Sequence, residues 1–290
     1  MKNQKTTSEE QSEIKPALVL IATPIGNLED ISIRAVKEIR SADLLCCEDT
    51  RRTGKLLELL EIHPRPDLLL LNEHTERSRS KEVIEKIKNG ERVALVSDAG
   101  LPGISDPGEH VVKAAIRQGV TIEVIPGPSA GVTALVASGL PSNRFVFQGF
   151  IPRKGKARND RLNEIATEGK TTILYESGNR LQKTIEDLLV ICGKEREAVI
   201  AKEITKIHEE YIRGTLCELQ EILQSRSTKG EYVLVVGGLQ EQREVEDNEL
   251  LSELKKLHDQ GKSNRDAVSE IAKKYNVSKR RVYGLSIERL

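Results

Sequence analysis

From residue 18 to residue 138 the chain alternates short apolar runs with amphipathic stretches, and within the runs apolar and polar residues do not alternate. A strand with one wet face shows polar residues every second position, so unbroken runs of four or five apolar residues mark strands covered on both faces. The pattern predicts strands at 18–22, 44–47, 68–71, 93–96 and 122–125, and helices at 31–40, 53–60, 81–88, 109–118 and 130–138. Strand and helix in regular turn imply a parallel α/β sheet. Such a sheet binds ligands in the crevice beyond the carboxyl ends of its strands.

A second set of runs begins near Phe145, with strands expected at 145–147, 172–175, 198–201 and 232–236 and helices around 180–189 and 215–223. Leu140-Pro141-Ser142-Asn143 reads as the hinge between the sets. Near the end, Ser263 is placed to cap a helix with Asp266 three positions on, and Ala267, Val268, Ile271, Ala272 and Tyr275 form one apolar stripe. Asn276 suits a tight turn, and Ser278 caps a second helix that opens Lys279-Arg280-Arg281, the outline of a helix-turn-helix. The expected organisation is a disordered tail at 1–16, α/β domains at 17–141 and 142–239, an acidic linker at 240–249, and a helical domain at 250–290.

Charge bears on the partner. The 45 Lys and Arg balance 45 Asp and Glu, which argues against a nucleic-acid partner only if the charge is evenly spread. It is not. Residues 241–253 hold six acids against Arg243, a net of −5, while 261–290 hold eight bases against three acids, a net of +5. Residues 151–163 carry Arg153, Lys154, Lys156, Arg158 and Arg161 against Asp160, a net of +4, read as a basic loop. The polar start has no apolar stretch for a signal peptide, no run spans a bilayer, and Cys46, Cys47, Cys192 and Cys217 show no C-x-x-C spacing. Reduced, buried thiols and a cytoplasmic protein are expected.

The unusual sequences fall where the crevice should be. Thr23-Pro24-Ile25-Gly26-Asn27 follows the first strand, Glu48-Asp49-Thr50-Arg51-Arg52 the second, and Asn72-Glu73-His74 the third. The twelve residues 97–108, SDAGLPGISDPG, follow the fourth strand and Pro126-Gly127-Pro128-Ser129-Ala130 the fifth. Glycine and proline at this density give loops of fixed shape whose backbone lies against a ligand. No phosphate loop, dinucleotide fingerprint or zinc spacing is present. The strand-end acids Glu48, Asp49, Glu73, Asp98, Glu176 and Glu203 either cap neighbouring helices and loops or hold ribose hydroxyls or a cation. The residues alone describe a site for a ribose-bearing or cationic small molecule.

ATPIGNLEDIS at 22–32, EDTRRT at 48–53, SDAGLPGISDPG at 97–108, IPGPSA at 125–130 and SGLPSNRF at 138–145 resemble the ribosomal RNA small subunit methyltransferase I family. That family is a branch of the tetrapyrrole (corrin/porphyrin) methylase superfamily. FQGFIPRK, LYES, AKEITK, RGTL and KGEYVLVV extend the resemblance to Val236. Two positions depart from it: Gly178-Asn179-Arg180-Leu181 stands where relatives often read PHRL, so no imidazole role carries over, and Leu101 stands where Thr or Met is common.

The resemblance implies two α/β domains of the tetrapyrrole methylase type with the cofactor cleft between them, plus a small C-terminal helical domain. It implies an S-adenosylmethionine-dependent homodimer that methylates a cytidine ribose 2′-oxygen in the decoding region of 16S rRNA in the small ribosomal subunit. Carried over by position, the cofactor meets Pro24, Gly26, Asn27, Asp98, Ala99, Gly100, Ile104, Ser129, Ala130, Glu176 and Lys202. A hydroxyl is a poor nucleophile until its proton leaves. Glu48, Asp49 and Asp98 are the candidate bases, in that order, beside the alternative of shaping without a dedicated base. RNA phosphate is expected at Arg51, Arg52, Arg153, Lys154, Lys156 and Arg158, and at Lys279, Arg280 and Arg281 of the terminal helix. With aromatics at 3%, recognition by shape and phosphate is expected to outweigh base stacking. Two alternatives are a methylase of a tetrapyrrole or other small molecule on the same fold, and a ligand-sensing helix-turn-helix regulator.

Overall fold

A computed structural model describes residues 15–239, 246–275 and 277–288. All but the last two residues of the expected tail, residues 240–245 of the acidic linker and the turn residue Asn276 lie outside the described residues. Two compact units are present, divided between Leu239 and Gln240.

In the first unit the chain runs β1 (Ala17–Ile21), a 3-10 turn (Leu28–Asp30), α1 (Ile33–Ser41), β2 (Leu44–Cys47), α2 (Thr50–Leu59), β3 (Asp67–Leu70), α3 (Glu76–Lys88), β4 (Arg92–Val96), α4 (Glu109–Arg117), β5 (Ile122–Ile125) and α5 (Ala130–Ser138). The five strands form one sheet in the order β3-β2-β4-β1-β5, and every pairing is parallel. The runs of its three inner strands β2, β4 and β1 are apolar because both faces are covered, whereas the edge strands β3 and β5 are only partly buried and β5 carries Glu123. Ala17, Val19, Ile21, Leu45 and Cys47 pack with Ile39 and Leu57 of α1 and α2. Leu18, Leu44, Cys46, Val93 and Leu95 pack on the other side with Val83, Ile87 and Val111 of α3 and α4. Each fully buried leucine here stabilises the fold by about 1.5–3 kcal/mol.

A second sheet follows, from β6 (Phe145–Phe150), α6 (Lys156–Thr167), β7 (Thr171–Ser177), α7 (Gly178–Cys192), β8 (Glu197–Lys202), β9 (Glu210–Thr215), α8 (Leu216–Gln224) and β10 (Glu231–Val236). The order is β6-β7-β10-β8-β9. Only β6 and β7 run parallel; the other pairings are antiparallel. One face packs on α6, α7 and α8 through Leu162, Ile185 and Leu219. The other receives Ala134 and Leu135 of α5, so the last helix of the first half lies on the second sheet. Gly131 permits that approach: a β-carbon there would stand 3.3 Å from the Ile173 side chain.

Two elements of this half differ from the sequence expectation. Edge strand β9 has no apolar run, because none of its residues is fully buried. Residues 156–163, expected as loop, belong to α6, whose buried stripe is Leu162, Ile165 and Arg158. A charged residue holds the third buried position and hides the periodicity.

The second unit is three helices, α9 (Asp247–Asp259), α10 (Asn264–Lys274) and α11 (Lys279–Glu288). They close on Leu250, Leu254, Ala267, Val268, Ile271, Val282 and Leu285. The Ser263 hydroxyl accepts from Asp266 N–H at 3.2 Å and the Ser278 hydroxyl from Arg281 N–H at 3.2 Å, the two expected caps. Cys46 and Cys47 are buried, whereas Cys192 and Cys217 are half-buried rather than enclosed. Among the described residues no helix is long and apolar enough to cross a membrane.

Candidate active site

The loop after β1 and the long loop after β4 are joined into one wall. Thr23 N–H donates to Gly100 O at 2.9 Å and Gly100 N–H to Thr23 O at 3.1 Å. Gly100 does this with φ +83°, a conformation side-chain-bearing residues avoid. The loop then folds back on itself, Gly103 N–H donating to Pro107 O at 3.1 Å. Its far end is fixed by Glu76 of α3, a buried carboxylate accepting from the N–H groups of Gly108, His110 and Val111.

A cavity of about 420 Å³ opens beside this wall, within the range that holds small-molecule ligands. Ala99, Gly100, Ser129 and Ala130 contribute from the first half, Glu176 and Tyr175 from the second. Of the five carboxyl groups that line it, Glu48 after β2 and Asp98 and Asp106 from the long loop gather with Arg52. Arg52 pairs with Asp98 Oδ2 at 3.2 Å. The other oxygen, Asp98 Oδ1, is the one buried side-chain polar atom among the described residues without a hydrogen-bond partner.

This crowding shifts all three acids upward. Burial raises the Glu48 carboxyl, reinforced by the charge of Asp98. Burial also raises Asp98, against the opposing Arg52 guanidinium. Asp106 is moved furthest, to about 7, first by burial and then by Glu48, while a hydrogen bond from Ser97 opposes the shift. Burial and like charge disfavour the charged form and outweigh the opposing guanidinium and hydroxyl.

Of the residues expected at the cofactor, Asp98, Ala99, Gly100, Ile104, Ser129, Ala130 and Glu176 line the cavity. Pro24, Gly26 and Asn27 do not; Ile25 lines it in their place. Asn27 caps the 3-10 turn and gives its N–H to Thr205 Oγ1 at 3.0 Å. Lys202 stays outside, and the cation from this side is Lys206, held by Glu231 at 2.7 Å and Glu203 at 3.1 Å. Glu176 is engaged through Thr184 at 2.7 Å and Arg180 at 3.3 Å.

Among the base candidates, Glu48 and Asp98 face the cavity and Asp49 does not. Asp49 caps α2, and its hydrogen bonds from Arg51 hold the carboxyl down at about 2. Sequence reasoning missed Asp106 because it sought acids at strand ends. The signal was the repeated Ser-Asp pair, Ser97-Asp98 and Ser105-Asp106, whose second copy folds back to the strand end.

The basic residues divide. Arg153, Lys154 and Lys156 are exposed. Arg158 is buried, pairs with Asp187 at 2.8 Å and donates to Pro152 O and Thr184, so it braces α6 on α7 and leaves the RNA-facing set. Arg51 is tied to Asp49 at 3.0 Å, and Arg281 to Asp247 at 2.7 Å within the helical unit. Lys279 and Arg280 are exposed on α11.

Residues 17–220 match the family described as Tetrapyrrole (Corrin/Porphyrin) Methylases. The chain is 41% identical over 290 residues to ribosomal RNA small subunit methyltransferase I of Halalkalibacterium halodurans, covering 98% of this chain and 99% of that protein. The Thermotoga maritima protein of the same name is 43% identical over 76% of this chain and 98% of its own length. In fold the chain is similar to a uroporphyrin-III C-methyltransferase from Thermus thermophilus complexed with S-adenosylhomocysteine, with TM-score 0.54 and 17% identity over 76% of this chain and 97% of that one. A diphthine synthase gives TM-score 0.58 at 20% identity over 77% of this chain and 90% of that one.

Proposed function

The chain belongs to the tetrapyrrole (corrin/porphyrin) methylase family, in its ribosomal RNA small subunit methyltransferase I branch, and from that premise we propose that it methylates a cytidine ribose 2′-oxygen in the decoding region of 16S rRNA. S-adenosylmethionine is the methyl donor. The observation that carries the reading is near-full-length identity to proteins of that name, and the cavity supports it chemically.

The cavity's residues fit the donor. Asp98 Oδ1, buried without a partner, has an unmet need that a cationic ammonium or sulfonium answers. The wall around Gly100 and the start of α5 at Ala130 offer backbone groups rather than bulky side chains. When bound, the sulfonium supplies an electrophilic methyl group. Asp98, Ala99, Gly100, Ser129 and Ala130 hold the donor, with Ile25 and Ile104 against its apolar parts.

Asp106 is the proton acceptor for the ribose hydroxyl. A base works best when its pKa lies near the working pH, and this carboxyl titrates at about 7. Burial first and the like charge of Glu48 second keep it there, while Arg52 offsets the charge of Asp98. Arg153, Lys154 and Lys156, with Lys279 and Arg280 of the helical unit, meet RNA phosphate. We further read 17–141 and 142–239 as the two α/β domains, 250–290 as an RNA-binding helical domain, and the working form as a cytoplasmic homodimer acting on the small subunit.

One assay tests the reading. Methyl-labelled S-adenosylmethionine is offered with 30S subunits, free rRNA and a small-molecule extract, and the product is mapped. Label on a cytidine ribose of subunit RNA is expected. Label only in the extract would point to a small-molecule methylase, and no transfer at all to a ligand-sensing regulator.

A further inference from the structure

The chain is poor in aromatic residues, with three Phe, five Tyr and no Trp, yet they are not scattered. All three Phe lie on β6, and Phe150, Tyr175 and Tyr232 line the cavity. Phe150 is 53% exposed, so half a ring of apolar surface stands in water at the site, in a chain that otherwise has few rings to spare.

Its direction results from a local irregularity. Along a regular strand Phe147 and Phe150, three residues apart, point to opposite faces. Here the pairing with β7 shifts register between Phe147 and Gly149, so Phe147 sits beside Ile173 and Phe150 beside Tyr175. Ile173 and Tyr175 share a face, and both phenylalanine rings meet Tyr175 edge-on, with centroids 5.1 and 5.6 Å away. Gly149 makes the bulge possible: its φ is +61°, and a β-carbon would stand 3.1 Å from Ser105 Oγ on the long loop. Bulges beside active sites re-aim side chains, and this one turns Phe150 toward the cavity. Tyr175 behind it is fixed, its hydroxyl accepting from Gly131 N–H at 3.3 Å.

Resting on the RNA reading above, we propose that Phe150, backed by Tyr175, is the platform on which the target nucleobase stacks once it has turned out of the RNA. A base must leave its stack for its ribose to enter a cavity, and an aromatic face compensates the lost stacking. The charge pattern fits a nucleotide arriving from outside, because exposed Arg153 and Lys154 follow Phe150 at three and four residues, within reach of flanking phosphates. The donor-binding groups gather instead on the long loop and α5, in the other half of the wall. Aromatic scarcity in the composition is therefore not scarcity at the site, and stacking joins phosphate contact in recognition.

The test uses the full chain with F150A, F150L and F150Y. Two quantities are measured: kcat/KM for methyl transfer to 30S subunits lacking the modification, and calorimetric affinity for S-adenosylhomocysteine. F150A and F150L are expected to lower kcat/KM by about tenfold to a hundredfold, F150Y to stay within about threefold of the parent, and S-adenosylhomocysteine affinity to hold in all three. That retained affinity also reports an intact fold. Leucine performing as well as tyrosine would overturn the platform, since an apolar side chain would then suffice. Equal loss of S-adenosylhomocysteine affinity in F150A would overturn it too, giving the ring to the donor's adenine. A parent protein that transfers nothing to 30S subunits overturns the RNA reading itself, a result distinct from both.

Discussion

The two ends of strand β4 treat charge in opposite ways. At the amino end Arg92, only 6% exposed, meets Glu123 at 2.6 Å, Glu38 at 2.7 Å and the Lys15 carbonyl at 3.0 Å. Those bonds tie β4 to α1 and β5, and leave that cluster well satisfied. At the carboxyl end Glu48, Asp98 and Asp106 crowd together around one arginine, and an oxygen of Asp98 has no partner. Buried charge is tolerated when paired and expensive when not. One end of the strand holds the sheet together, and the other keeps an electrostatic debt that a cationic ligand and a departing proton settle. Perturbed acids cluster at functional sites for this reason.

Substitutions at the two ends should separate these roles. D106N is expected to lower kcat by about 10²–10⁴-fold while S-adenosylhomocysteine still binds, and to abolish the rise of kcat/KM through pH 7. If D106N stays active while E48Q does not, the proton acceptor is Glu48. At the opposite end, R92A should lower stability in urea by about 3 kcal/mol, with kcat unchanged in the folded enzyme. The figure lies at the low end of its range because Glu38 and Glu123 are 21% and 39% exposed.

A smaller effect concerns pH. Asp106 titrates at about 7 when folded and near 4 when unfolded. Folding thus favours its protonated form, so its contribution to stability is full below pH 4 and is lost as pH rises through 7. Asparagine does not titrate, so ligand-free D106N should melt a few degrees above the parent at pH 8 and no higher at pH 4. The smallest effect belongs to Asp49, whose carboxyl is held at about 2. Its contribution is present above the unfolded pKa and fades as pH falls toward 2. D49A should cost less than half the stability lost at Arg92 and leave kcat intact; a large loss of kcat would return Asp49 to the chemistry.

Much of this was legible in the sequence because two-sided burial writes itself as apolar runs. Strand 44–47, buried along its whole length, falls where expected, as do helix 130–138 and the partly exposed edge strand 122–125. Helix starts were less visible. α3 begins at Glu76, five residues before the expected start, because its first turn is Glu-Arg-Ser-Arg-Ser and buries Glu76 and Ser80 rather than apolar side chains. The cavity's first-half wall was readable as glycine- and proline-rich loops, but which acid faces it depends on how the long loop folds back. Asp49 and Asp98 look alike in sequence; one caps a helix and the other faces the cavity. Phe150 was invisible as a site residue, since its direction depends on a register shift that no residue count reveals.

That shift makes the face of Phe150 a matter of parity. Gln148 is the odd residue of β6, the one without a partner on β7. Substituting Gly149 with valine, which resists a left-handed backbone, favours an even count that sets Phe150 opposite Glu176 and turns its ring away. Deleting Gln148 in that same variant restores the alignment of Phe150 with Tyr175 without the bulge. Two lesions that each look damaging would cancel, because the strand keeps its aim by counting and not by composition.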